Sequence, residues 1–176
     1  MMAASDASAG WKDWASAPLA DLIRHILDTH HNYLRRELPR LAELLARSER
    51  PGDTLEALRN TFSELKNELE SHMWKEESVL FPMIRGLEAA RAAGQPASPS
   101  HCGSVRNPIR VMELEHDSAV RALAEMRCIT SGYELSEDAD EGRRMLFTGL
   151  TELEADLRQH IHLENDILHQ RAAAFR

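Results

Sequence analysis

Four stretches of this sequence place apolar residues three and four apart, and each stretch is interrupted by a histidine. In the second, Leu58, Phe62, Leu65 and Leu69 lead to His72 and Glu76 before Val79, Leu80 and Met83 resume the pattern. The fourth runs Leu146, Leu150, Leu153 and Leu157, then His160, Glu164 and Ile167. The first (Ile23, Leu27, Leu34, Leu38, Leu41, Leu45) has its gap at His31, and the third (Ile109, Met112, Ala119, Leu123, Met126) at His116. Spacing by threes and fours lines one face of a helix. Any fold of this chain must therefore bury four imidazoles and two carboxylates on the same faces as its leucines.

The joints between the stretches are equally legible. Ser16 and Pro18 mark the start of the first helix, and Pro39 is expected to bend it without ending it, because Leu41 and Leu45 stay in phase. "RPGD" at 50–53 is a turn, with Asp53 and Glu56 as a capping box for the second helix. Pro82 predicts a bend or short break in that helix, whose tail reaches about Ala93. Residues 94–107 are rich in Gly, Pro and Ser and form an irregular loop; Asn107 and Pro108 open the third helix. The span 131–138 breaks it, with Ser136 as the cap of the fourth. Leu, Ala, Glu and Arg are abundant and aromatic residues are 5% of the total, as suits an all-α chain. The expected architecture is an up-down four-helix bundle over residues 17–173, one domain preceded by a flexible segment, 1–16.

The histidines recur at intervals of 41, 44 and 44 residues, so each comes at a comparable height on its helix. His72-x-x-x-Glu76-x-x-x-Leu80 is repeated as His160-x-x-x-Glu164-x-x-x-Leu168, and residues four apart share a helix face. Unpaired, such groups in a leucine core would cost several kcal/mol each. The glutamates could pair with protonated histidines. Two metal ions answer more fully, each taking imidazole nitrogens from His31, His72, His116 and His160, with Glu76 and Glu164 bridging or chelating. A mixed nitrogen and carboxylate set suits iron, and manganese or zinc can occupy it as well; calcium and magnesium prefer oxygen alone.

Other residues draw weaker readings. His30 adjoins His31, but the phase of Leu27, Leu34 and Leu38 favours His31, since a stripe through His30 would bring Glu37 inward. His25, His101, His162 and His169 are expected at the surface. Glu113 and His116 form one Glu-x-x-His, but a ferritin-type site needs that motif on two helices. Two cysteines, Cys102 and Cys128, are too few for a disulfide framework or a four-cysteine metal site. The net charge of −8 with no basic block disfavours nucleic acid and anionic membrane surfaces as partners. No run reaches the ~18 apolar residues of a membrane span and the start is not that of a signal peptide, so a soluble, cytoplasmic protein is expected.

The phrases "HNYLRRELPRL" (31–41), "HMWKEESVLFPMI" (72–84), "ELEHD" (113–117) and "HIHLEN" (160–165) resemble the hemerythrin-like, or HHE, domain, a four-helix bundle with a non-haem di-iron centre. Within that superfamily they are most similar to the repair-of-iron-centres proteins. The resemblance implies two iron ions, oxo- or hydroxo-bridged when oxidised, with His31, His72, His116 and His160 as imidazole ligands and Glu76 and Glu164 as bridges. It implies a role in iron–sulfur cluster repair or the nitric oxide and oxidative stress response, with oxygen or nitric oxide as small ligands and damaged iron–sulfur proteins as partners. An oxygen or nitric oxide binding or sensing module without repair activity is the alternative. The sequence departs from oxygen carriers at Val120 and Asn165, where they have a fifth histidine and an aspartate, so reversible oxygen carriage is not the expectation. It also has "LHQ" at 168–170 in place of the family's second "LFP", and it is expected to lack the small cysteine-containing N-terminal domain of the full-length repair proteins.

Overall fold

A computed structural model describes residues 13–47, 55–95 and 104–175. Four long helices form the bundle, and three of them are α-helices widened by a π-helical segment partway along. The first comprises α1 (Leu19–Ile26), π1 (Leu27–His31) and α2 (Asn32–Arg47). The second comprises α3 (Leu55–Lys75), π2 (Glu76–Leu80) and α4 (Phe81–Ala92). The third, α5 (Arg106–Ile129), is α-helical throughout. The fourth comprises α6 (Glu141–His162), π3 (Leu163–Leu168) and α7 (His169–Ala173). Among the described residues there is no strand, and no helix is long and apolar enough to cross a membrane. The second helix packs most extensively on the third, and the first on the fourth.

The wide turns correct the sequence reading in a systematic way. A π turn accommodates an extra residue, so the buried stripe is one position off the sequence reading on one side of each: beyond it in the second and fourth helices, before it in the first. Val79 is exposed and Met83 half-buried, while Leu80, Phe81 and Ile84 are buried. Ile167 gives way to Leu168, and in the first helix Leu27 gives way to Ile26. The third helix has no wide turn, and its expected stripe is buried in full: Ile109, Met112, His116, Ala119, Leu123 and Met126. Neither proline interrupts its helix: Pro39 lies inside α2 and Pro82 in the first turn of α4, directly after π2.

Several helix ends differ from expectation because tertiary partners supply the caps. Ser16 turns back to Asp13, and the first N–H groups of α1 are satisfied from the second helix, Leu19 N and Ala20 N donating to Glu88 at 2.6 and 2.9 Å. The fourth helix is capped by Asp140, which accepts from Arg143 N at 2.8 Å, and Ser136 lies outside it. The third begins at Arg106, whose N–H donates to Ser104, so Asn107 is already helical. Asp53 falls outside the described residues. Gly94 takes a left-handed φ of 63° and ends α4, Gln95 N reaching back to Ala90 O at 2.9 Å.

The apolar interior is in two parts. A lower cluster includes Leu38, Leu45, Phe62, Leu65, Leu123 and Leu150, and an upper one includes Leu22, Ile26, Phe81, Ile84, Ile109 and Leu168. Along every long helix the six singled-out His and Glu positions lie between members of the two clusters. Glu88→Ala removes the cap of α1 and should destabilise the protein by about 1 kcal/mol, with faster amide exchange at Leu19 and Ala20; unchanged exchange there would show that solvent caps the helix equally well.

Candidate metal centre

Between the two apolar clusters the structure brings His31, His72, Glu76, His116, His160 and Glu164 together, all buried. His31 ends π1, Glu76 begins π2 and Glu164 lies in π3, so three of the six stand in wide turns. π-bulges of this kind often mark functional positions.

The six form two overlapping sets. One is His31, His160, Glu76 and Glu164; the other is His72, His116, Glu76 and Glu164; within each, one donor atom per residue lies within 4.8 Å of the rest. Both glutamates belong to both sets. Glu76 turns Oε2 to His31 Nε2 and Oε1 to His72 Nε2, each at 3.3 Å. Glu164 turns Oε1 to His160 Nε2 and Oε2 to His116 Nε2, each at 3.1 Å. Thus each carboxylate presents one oxygen to each imidazole pair.

The outward edges of three imidazoles are held by oxygen acceptors. His31 Nδ1 lies 2.6 Å from Glu77, His72 Nδ1 2.9 Å from Glu115, and His116 Nδ1 2.7 Å from Asn165 Oδ1. Glu77 is clamped by Arg35 and Glu115 by Lys75. Although burial would raise both carboxyls, His31 and Arg35 hold Glu77 below its usual range, and Lys75 and His72 do the same for Glu115. At His31 and His72 an ionised carboxylate fixes the proton on Nδ1, and at His116 the amide oxygen of Asn165 accepts it; each leaves Nε2 as a bare lone pair, the form that binds metals.

That assignment has a consequence for His72 and His116, whose Nε2 atoms face each other at 3.0 Å. Two lone pairs at that separation need a proton or a cation between them. The carboxylates are in similar need: burial and the charge of Glu164 push Glu76 up to about 8. Burial would raise Glu164 also, but His160 and His116 hold it well below the usual range; His116 is raised in turn, Glu164 outweighing burial. None of the four carboxylate oxygens accepts an aligned hydrogen bond from the protein, and His31 Nε2 and both nitrogens of His160 lack partners as well. Buried polar atoms are rarely left this way. The donor set, the shared carboxylates and the orphaned atoms suit a metal site, and two cations would satisfy the whole array.

Two more imidazoles are buried beside these, contrary to the sequence reading. His169, expected at the surface, is fully buried, because π3 rotates it inward. Its ring lies 6.0 Å from that of His116 with planes 9° apart, and burial pushes it down to about 4. The signal was present in the repeat: aligned on His72 and His160, position 169 matches Phe81, a core residue packed 5.7 Å from the His31 ring. His30 is buried along with His31, both in π1, and Glu37 is buried too, held by Arg36 and Arg40. His30 Nδ1 meets Asp156 at 2.9 Å and its ring lies 5.4 Å from His160, but it joins neither set of converging donors. His162 is exposed and paired with Asp166, His25 is half-buried against the Trp14 ring, and Cys128 is exposed; His101 and Cys102 lie outside the described residues.

Comparison with known proteins agrees with this geometry. Residues 22–172 match the family model described as the hemerythrin HHE cation binding domain. Similar proteins include those named iron-sulfur cluster repair protein YtfE from Pectobacterium atrosepticum, 39% identical over 92% of this chain and 69% of that protein. The proteins of the same name from Cronobacter sakazakii and Escherichia coli O81 are 40% and 37% identical, each over 93% of this chain and 70% of its relative. With its match spanning nearly the whole bundle, the chain belongs to the hemerythrin HHE cation-binding family.

Proposed function

We propose that this protein binds a pair of iron ions and serves the repair of iron–sulfur clusters damaged by nitric oxide or oxidative stress, in the cytoplasm. One observation carries the reading of the site: Glu76 and Glu164 each direct one oxygen to each of two imidazole pairs. His31 and His160 would hold one ion, His72 and His116 the other, and both glutamates would serve both. The names of the similar proteins support the cellular role.

When bound, the metal pair supplies redox change and open coordination positions for oxygen or nitric oxide. The protein's part is to position and insulate. Glu77, Glu115 and Asn165 set the tautomers of three imidazoles, and the apolar clusters above and below keep bulk water away. Each ion would take two imidazoles from the converging set and would share both carboxylates with its neighbour. Such a site would hold iron with shared carboxylates, which suits iron as cargo for an apo cluster protein.

Purified without chelator from iron-supplemented cells, the protein should carry about two irons per chain by elemental analysis, as the donor set predicts. Glu76→Ala or Glu164→Ala should lose most of both ions while keeping the helical circular dichroism, whereas His162→Ala should keep them; equal losses would refute the assignment. Incubated with an apo iron–sulfur protein and sulfide, the loaded wild type should restore cluster absorbance faster than Glu76→Ala. Iron that is retained while nitric oxide binds would favour a sensing role instead.

Glu76 and His116 are both raised without metal, and both must shed protons to act as ligands. Affinity should therefore be greatest at and above about pH 8 and fall toward pH 5, by up to about tenfold per pH unit for each proton displaced. Calorimetry in buffers of different ionisation enthalpy measures that proton release. A flat profile would exclude imidazole and carboxylate ligation.

A further inference from the structure

His169 has no structural task that its nitrogens explain. It is fully buried, neither ring nitrogen has a hydrogen-bond partner, and its nearest ionic neighbour, Glu113, lies 4.0 Å from Nδ1. A buried donor left unsatisfied is destabilising. Packing does not call for one, because the repeat-related residue, Phe81, fills the matching place over His31 with a plain ring. His30 differs in that Asp156 already holds one of its edges.

His169 shares one feature with the other imidazoles at the centre, an acidic oxygen on the side of its Nδ1. In His31, His72 and His116, Nδ1 faces an oxygen acceptor toward the outside and Nε2 faces the converging donors. His169 has Nδ1 on the side of the partly exposed Glu113, and its ring stacks nearly parallel to that of His116. A carboxylate behind one nitrogen leaves the other suited to a metal ion.

We propose that His169 is an auxiliary imidazole for the cation position formed by His72 and His116, giving that position a third nitrogen donor for a divalent transition-metal ion. The inference rests on the two-cation reading of the site. It sets the two positions apart chemically: the His72 and His116 position has an extra imidazole where the His31 and His160 position has the phenyl ring of Phe81. The nitrogens of His169 lie outside the converging sets, so ligation would require its ring to turn toward the ion.

Cobalt(II) serves as the probe, titrated into metal-free full-length protein and followed by its visible d–d bands and by calorimetry. In the wild type two ions should bind. In His169→Phe, which restores the residue type of the repeat, one of the two constants should fall by about tenfold or more, the other should stay within about twofold, and the metal-free melting temperature should hold or rise. His169→Gln, which keeps a polar side chain without the imidazole, should show the same loss of one constant and an altered cobalt spectrum. Unchanged constants in both variants would overturn the proposal. So would a parallel fall in both constants together with the metal-free melting temperature, the pattern of a structural residue. A wild type that binds no pair of ions would sink the parent reading as well, and that result is visible before any variant is made.

Discussion

Two carboxylates share a buried space between four imidazoles, and that juxtaposition governs the rest of the molecule. Left ionised together, Glu76 and Glu164 would repel across a few ångströms in an environment that barely screens them. The protein surrounds them with buried imidazoles and neutralises two of the outer acceptors, Glu77 with Arg35 and Glu115 with Lys75. The charges are thereby arranged in layers: cations at the rim, then anions, then imidazoles, then the central carboxylates. An arrangement of that kind is complete only with positive charge at its middle.

The wide turns make the layering geometrically feasible. A straight α-helix offers one residue per turn to a given point in the core, and four such helices would bring four donors to one level. By widening the first, second and fourth helices at the level of the site, the chain brings in adjacent residues, His30 with His31 and Glu76 beside Glu77, and then resumes a regular apolar stripe one position along. The third helix contributes a single inward donor, His116, and needs no such device.

Much of this was legible in the sequence, and the part that was not has one cause. The four stripes, the bundle and the convergence of six polar positions follow from helical periodicity, which holds over the long α segments below the site. Periodicity fails at the π turns, so Val79, Met83 and Ile167 were placed inward and His169 outward. Caps were a second source of difference: Glu88 caps α1 from another helix, and a partner 69 residues away leaves no local pattern to read. The comparison of the two halves held the better clue, since Phe81 and His169 occupy equivalent places.

The polar layer also divides the interior. Among the described residues, nineteen buried ones lie in the lower apolar cluster and thirteen in the upper, with imidazoles and carboxylates between them. Apolar contact is what makes neighbouring segments unfold together, and here it is interrupted. Between the two parts the bundle is held by its continuous helices and by the polar layer itself, so whatever neutralises that layer also strengthens the join between them.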